Sequence, residues 1–342
     1  MTNRIEVRGI PLAYALLGVE SLPAIDEAWR ARLSSPEVTA NEVFRSYIGE
    51  ARALRPAGFE WARALAVAAF FVPGRLVGLE GSEGRFEVLL PPNYYVGGLT
   101  RAEVRDALAA GLGGRVERAG LLPLKTLAAW SGLGRYGRNN ILYVEGMGTS
   151  IVLSAFWAEA PGAEIPPPPG PAFLGRCASC RLCEGACPTG AIPPEPGCID
   201  AGRCLSLFNE IEGEFPSWLA PDSHNALIGC GRCQLACPED LPFRAGLVPH
   251  GPFGRRETEL ILAGAEGAEA DAALARLLST EDAETLAAHR PVLSRNLRAF
   301  MEARRLRAQE GRADSNSNSN SNMLTKPSWG VAASSAAKES AR

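Results

Sequence analysis

CASCRLCEGACP spans Cys177–Pro188, and GCGRCQLACP spans Gly229–Pro238. With Cys198 and Cys204 between them, these runs hold all nine cysteines of the 342-residue chain. The first run reads C-x2-C-x2-C-x3-C-P, the spacing of a bacterial-type ferredoxin. Three closely spaced thiolates wrap one iron–sulfur cube, and the cysteine before the proline reaches the other cube. The second run keeps the last three cysteines of that pattern, Cys230, Cys233 and Cys237. Crossover pairing therefore places Cys177, Cys180, Cys183 and Cys237 on one 4Fe–4S cluster. It places Cys230, Cys233 and Cys187 on a second, with Cys198 or Cys204 as the fourth ligand. Zinc is the main competitor, but it favours two separated C-x2-C pairs or mixed Cys/His sets. Disulfides need an oxidising compartment, and nothing in the chain points to one.

Working outward, the length suffices for two domains with real cores. The formal net charge of −3 carries no global basic excess that would advertise nucleic acid. No apolar run approaches the ~20 residues needed to span a bilayer. Ile10–Val19 is apolar but flanked by Glu6, Arg8 and Glu20, so it reads as a buried helix rather than an export signal. A cytoplasmic location is expected, where thiols stay reduced and clusters are assembled.

Residues 1–56 carry Leu12, Leu16, Leu17, Trp29, Leu33, Val43 and Ile48 at helix-like intervals. Residues 61–72 form an apolar run, read as a buried strand of a parallel sheet. A second strand, Phe86–Leu90, stops at Pro91-Pro92-Asn93, and Tyr94 and Tyr95 follow in a loop of the kind that faces ligands. Helices are expected over 100–112, capped by Thr100, and over Pro123–Ser131. Next come Gly132-Leu133-Gly134-Arg135-Tyr136-Gly137-Arg138-Asn139-Asn140 and strands at Ile141–Val144 and Ser150–Trp157. The order helix, glycines, strand is the reverse of a dinucleotide-binding turn. Gly132, Gly134 and Gly137 let backbone approach either a large flat group or a neighbouring strand. Arg138 and Asn139 add donors for phosphate or amide groups. Asp222-Ser223-His224 begins the D-x-H-x-x-G pattern of free-standing cobalamin domains, but Leu227 stands where the glycine belongs.

The fold class read from this is α+β, divided into an α/β domain (1–160), a proline-rich linker (161–171), a ferredoxin-like double-cluster domain (172–250) and C-terminal helices (251–311). His289-Arg290-Pro291 is expected to break the last helices. The Ser/Asn-rich residues 312–342 are expected to be disordered.

The cluster region resembles epoxyqueuosine reductase, the cobalamin- and iron–sulfur-dependent enzyme of tRNA queuosine synthesis. Gly132–Asn139 resembles that family's G-L-G-W-I-G-K-N stretch. Cys177–Ile192, Ile199–Cys204 and Ile228–Pro238 resemble its cluster segments in order. The Asp200-Ala201-Gly202-Arg203-Cys204 match makes Cys204, rather than Cys198, the expected eighth ligand. The wider superfamily includes the reductive dehalogenases. The resemblance implies a cobalamin-binding N-terminal domain, base-off cobalamin with no histidine ligand, and contacts to it from Gly132, Gly134, Gly137, Arg138 and Asn139. It implies a flavodoxin- or ferredoxin-type electron donor, a small-molecule or tRNA-borne substrate, no membrane, and a monomer. The family's acidic proton donor is missing: residues 119–126 read Ala-Gly-Leu-Leu-Pro-Leu-Lys-Thr. Lys125, Tyr136 and Tyr95, with Tyr94, are therefore the candidate donors. The rival function is a two-cluster electron carrier without cobalamin.

Overall fold

A computed structural model describes residues 2–39, 41–162, 172–195 and 197–317. The first elements are strands β1 (Asn3–Val7) and β2 (Ile10–Gly18), then helices α1 (Leu22–Leu33), α2 (Pro36–Thr39) and α3 (Glu42–Ile48). Three strands follow: β3 (Ala64–Phe71), β4 (Arg75–Gly81) and β5 (Gly84–Leu90). Then come α4 (Arg101–Leu112), β6 (Val116–Arg118), α5 (Leu124–Trp130), β7 (Arg135–Tyr136), β8 (Leu142–Tyr143) and β9 (Ile151–Ala158). The cysteine region is loop-rich, with short helices α6 (Leu182–Ala186), α7 (Leu205–Glu210), α8 (Arg232–Leu235) and α9 (Leu241–Ala245). Strand β10 (Val248–Phe253) and helices α10 (Arg255–Ala263), α11 (Ala268–Leu278) and α12 (Ala283–Ser317) complete the described chain. The arrangement is α+β, as expected.

The main sheet has the order β1-β2-β3-β9-β6 and is antiparallel throughout. The apolar run at Ile10, expected as a helix, is strand β2. Its Ala13, Ala15 and Leu17 join one core with α1 and α5, while Leu12, Tyr14 and Leu16 join another with α4. Burial on both faces removes the polar–apolar alternation by which a strand is recognised. Strand β3 is buried the same way, Leu65, Val67 and Ala69 on one face and Ala66, Ala68 and Phe70 on the other. It was expected in a parallel sheet and is antiparallel to both neighbours. A continuous apolar run reports two-sided cover, not strand direction.

The β4–β5 hairpin leaves that sheet. Strand β10, from beyond the cysteines, pairs in parallel with β4 to make a second sheet, β10-β4-β5. Val77, Leu79 and Val88 pack there against Leu274, Leu277, Leu293 and Leu297 of the C-terminal helices. Leu227 N–H also donates to Leu89 O at 2.8 Å, beside the second cysteine run. The cysteine loops are thus strung between two sheets.

Helix α12 continues through Pro291, where a break was expected. Proline there forfeits a backbone hydrogen bond. Buried Leu286, Val292, Leu293 and Leu297 hold both sides of it, and Arg290 ties the helix to Asp271 of α11 and to Ala265 O. The same helix runs to Ser317, past the start of the tail expected at 312. Residues 318–342 and most of the expected linker, 163–171, lie outside the described residues. Among the described residues, no helix is long and apolar enough to cross a membrane.

Candidate functional site

The thiols fall into two groups. Cys177, Cys180, Cys183 and Cys237 line a small recess together with Arg138 and Tyr143. Cys187, Cys204, Cys230 and Cys233 lie in the wall of a cavity of about 720 Å³. Cys198 lines neither. Each group mixes cysteines from separated stretches of chain. The short helices α6 and α8 pack against each other, and Gly231 (φ +86°) makes the turn between Cys230 and Cys233.

Burial pushes the thiols up: Cys183 to about 11, Cys230 to about 12, Cys233 well above its ordinary value. Bare thiolates are disfavoured here, so ionisation is coupled to binding a positively charged, thiophilic group. Backbone N–H groups already point at two sulfurs, Arg138 N to Cys177 Sγ at 3.4 Å and Ala191 N to Cys187 Sγ at 3.3 Å. Among the described residues, no three Cys, His, Asp or Glu side chains converge as they would on one ion. Zinc draws its four sulfurs to about 2.3 Å from a single point. Two sets of four thiols, each drawn from both cysteine runs, match the crossover ligation of a double-cluster domain.

The cavity is bounded by the loop after β5, by α5, by β8 and β9, and by the second thiol group. Lys125, from the first turn of α5, lines it and donates to Asn140 O at 3.2 Å. Its side chain is exposed on the cavity side, and desolvation by the surrounding protein lowers its pKa. Tyr94 also lines the cavity and donates to Glu210 of α7. Burial raises the pKa of both partners. Arg232 contributes to the same wall, and its Nε has no hydrogen-bond partner.

The other two candidate donors stand elsewhere. Tyr95 donates to Pro73 O under the guanidinium of Arg75, which lies 3.5 Å from its ring centroid. Tyr136 is buried in the core beneath the main sheet, within 3.4 Å of the Thr126 hydroxyl, and burial raises it to about 12. The chain turns at Asn93 (φ +78°), and of the two tyrosines that follow only Tyr94 lines the cavity.

The glycine-rich stretch also departs from its expected use. A Cβ on Gly134 would lie 2.7 Å from Tyr143 O, and one on Gly137 would lie 2.6 Å from the Tyr143 ring. These glycines let α5 and β7 pack on β8. Gly132 (φ +76°) ends α5. Arg138 is 2% exposed, and its guanidinium donates to the carbonyls of Cys177, Cys180 and Pro194 rather than to open space. Of the five residues, only Asn139 lines the cavity. Its amide bonds the Tyr143 hydroxyl at 3.0 Å and accepts from Ile141 N at 3.3 Å. His224 packs on Phe215, 4.4 Å between ring centroids, outside the cavity lining.

Sequence reasoning missed two acids beside the thiols. Glu210 lies six residues after Cys204, one helix length away. Asp240 follows Cys237-Pro238 and is fully buried, accepting from Thr149 N at 2.8 Å and Oγ1 at 2.5 Å. It latches the second cysteine run to the start of β9. An acid just after the Cys-Pro pair was the available signal.

Residues 176–240 match the family model described as a 4Fe-4S double cluster binding domain. An epoxyqueuosine reductase of Burkholderia pseudomallei is 36% identical over 145 residues, 41% of this chain and 35% of that protein. The one from Escherichia coli K12 is 36% identical over 114 residues, 33% of this chain and 29% of that protein. The chain thus spans about a third of the length of these curated relatives. The solved epoxyqueuosine reductase of Streptococcus thermophilus aligns over 89% of this chain and 82% of its own, with TM-score 0.55 and 18% identity. In sequence the chain is similar to epoxyqueuosine reductases through its double-cluster region, and it shares their fold over most of its described length.

Proposed function

We propose that the chain is a two-cluster iron–sulfur reductase. Its clusters are held by Cys177, Cys180, Cys183 and Cys237, and by Cys187, Cys204, Cys230 and Cys233. The carrying observation is the position of the second thiol group, set in the wall of a cavity that Lys125 and Tyr94 also line. An electron arriving at the first cluster can pass to the second and from there into the cavity.

Cobalamin is the cofactor proposed for that cavity. The fit rests on its apolar wall from Leu124, Ile141 and Leu153 and on three cationic side chains, Arg101, Lys125 and Arg232, that line it. When bound, cobalamin would supply a strongly nucleophilic, strongly reducing cobalt. No histidine among the cavity-lining residues would ligate it. The residues of the chain have their own tasks. Asn140 O holds the Lys125 amine, whose lowered pKa eases donation of a proton at Nζ. Glu210 orients the Tyr94 hydroxyl at the cavity edge. A fold neighbour at 16% identity was solved with an epoxyqueuosine-modified tRNA stem loop. We propose a substrate of that class for this chain, tRNA-borne or a smaller analogue, with Lys125 standing where an acid is missing. The electron source is a flavodoxin- or ferredoxin-type donor, and the working form is a cytoplasmic monomer.

The test is anaerobic reconstitution with iron and sulfide, addition of hydroxocobalamin, desalting, and metal analysis with the visible spectrum. Two cubes and one retained cobalt in base-off form are expected. Two cubes with no cobalt would leave an electron carrier, and a colourless zinc-loaded protein would end the iron reading.

A further inference from the structure

We infer that Arg138 is the built-in counter-charge of the first cluster and holds that cluster's reduction potential up. The inference rests on the two-cluster reading above and deepens it. A guanidinium keeps its charge at any ordinary pH. Taking one out of water is costly unless an anion compensates it. Arg138 is among the largest fully buried side chains of the protein, yet its partners among the described residues are all neutral carbonyl oxygens. Two of those carbonyls belong to Cys177 and Cys180, and the Arg138 backbone N–H donates to the Cys177 sulfur. The charge therefore sits on the loop that presents two of the four thiols, in the wall of the recess they line.

Neighbouring carboxylates are taken. Glu239 pairs with Arg176 at 3.4 Å and Glu184 with Arg181 at 3.0 Å, both at the surface. The remaining anion is the one the site would form on loading, a cube with four thiolates. That assembly is negative when oxidised and gains one further negative charge on taking up an electron. A fixed positive charge beside it stabilises the reduced form more than the oxidised form, which raises the potential. The second thiol group has a different set of charges around it: Arg232, which bonds Asp222 O and acts on Cys230, Lys125 across the cavity, and the carboxylate of Glu210 near Cys204.

The experiment is a potentiometric titration of the full reconstituted chain with dithionite and mediators, followed by electron paramagnetic resonance, on wild type, R138Q and R138K. Glutamine keeps a carbonyl-bonding amide without charge, and lysine keeps charge without the fork. In R138Q, with iron content unchanged, one of the two midpoints is expected to fall. The reduced-to-oxidised ratio at fixed poise should drop at least tenfold, about 59 mV for one electron. The other midpoint should stay, and R138K should stay near wild type. R138Q with full iron and unmoved midpoints overturns the inference. So does an equal fall in R138K, which would assign the effect to hydrogen bonding. Loss of half the iron in both variants would make Arg138 a folding clamp alone and also overturns it. A wild-type chain that takes up no cubes sinks the two-cluster reading first, and the iron assay shows this before any variant is made.

Discussion

The two thiol groups sit in unlike surroundings. The first is a tight recess at the surface, with Arg138 behind it and Leu182 57% exposed in front. The second forms part of a roomy cavity wall facing Lys125 and Tyr94. Two copies of one ligand pattern have thus been given different neighbours. A positive charge and a solvent-facing edge suit the point where electrons enter. A lysine, a tyrosine and an apolar wall suit the point where they are used. On the proposed function, the difference gives electron flow a direction.

The largest effects would come from breaking either group. Cys233→Ala and Cys204→Ala should each lose about half the iron and the cavity-side cluster signal. Equal loss of both cluster signals would merge the two groups into one cooperative site. Next is the chemistry on the cavity side. Lys125→Met should keep full iron but slow turnover by roughly 10²-fold, the scale of one positioned proton donor. In the proposed mechanism Lys125 is the acid, and its pKa is lowered from its ordinary 10.5. The wild-type rate should therefore fall as pH rises through that lowered value. A profile flat to about 10.4 would remove Lys125 from the mechanism.

Smaller still is a change on the recess side. Gly148 has φ +58°, and a Cβ there would lie 2.2 Å from the Asp240 carboxylate that latches the loop of Cys237. Gly148→Ala should cost about 1–3 kcal/mol and, on heating, bleach the first cluster before the second. Simultaneous bleaching would show that the latch serves both groups. The smallest effect is the most discriminating. Cys198→Ala should leave iron content and both signals unchanged, and a loss of half the iron would falsify the choice of Cys204.

Legibility followed the physics of each signal. Ligand spacing is covalent and local, so the cysteine runs could be read directly. Thr100 and Glu103 cap α4 with bonds between residues three apart, at 3.2 and 2.8 Å, and that helix was plain in the sequence. Strand β2 was not, because two-sided burial erased its alternation. The choice between Tyr94 and Tyr95 turned on which side one residue faces, which composition does not carry. Arg138 was misread for a similar reason. A guanidinium offers the same donors to phosphate and to carbonyl oxygen, and only the fold shows which it meets.

The parallel pairing of β10 with β4 has a consequence for synthesis. The hairpin β4–β5 leaves the ribosome early, but the helix residues that cover it extend to Phe300. From Leu90 to Phe300 is 300 − 90 = 210 residues. At ~5–20 residues per second, that gap is roughly 10–40 s. Every cysteine is translated inside it. The nascent chain therefore exposes its thiols before the second sheet can be covered.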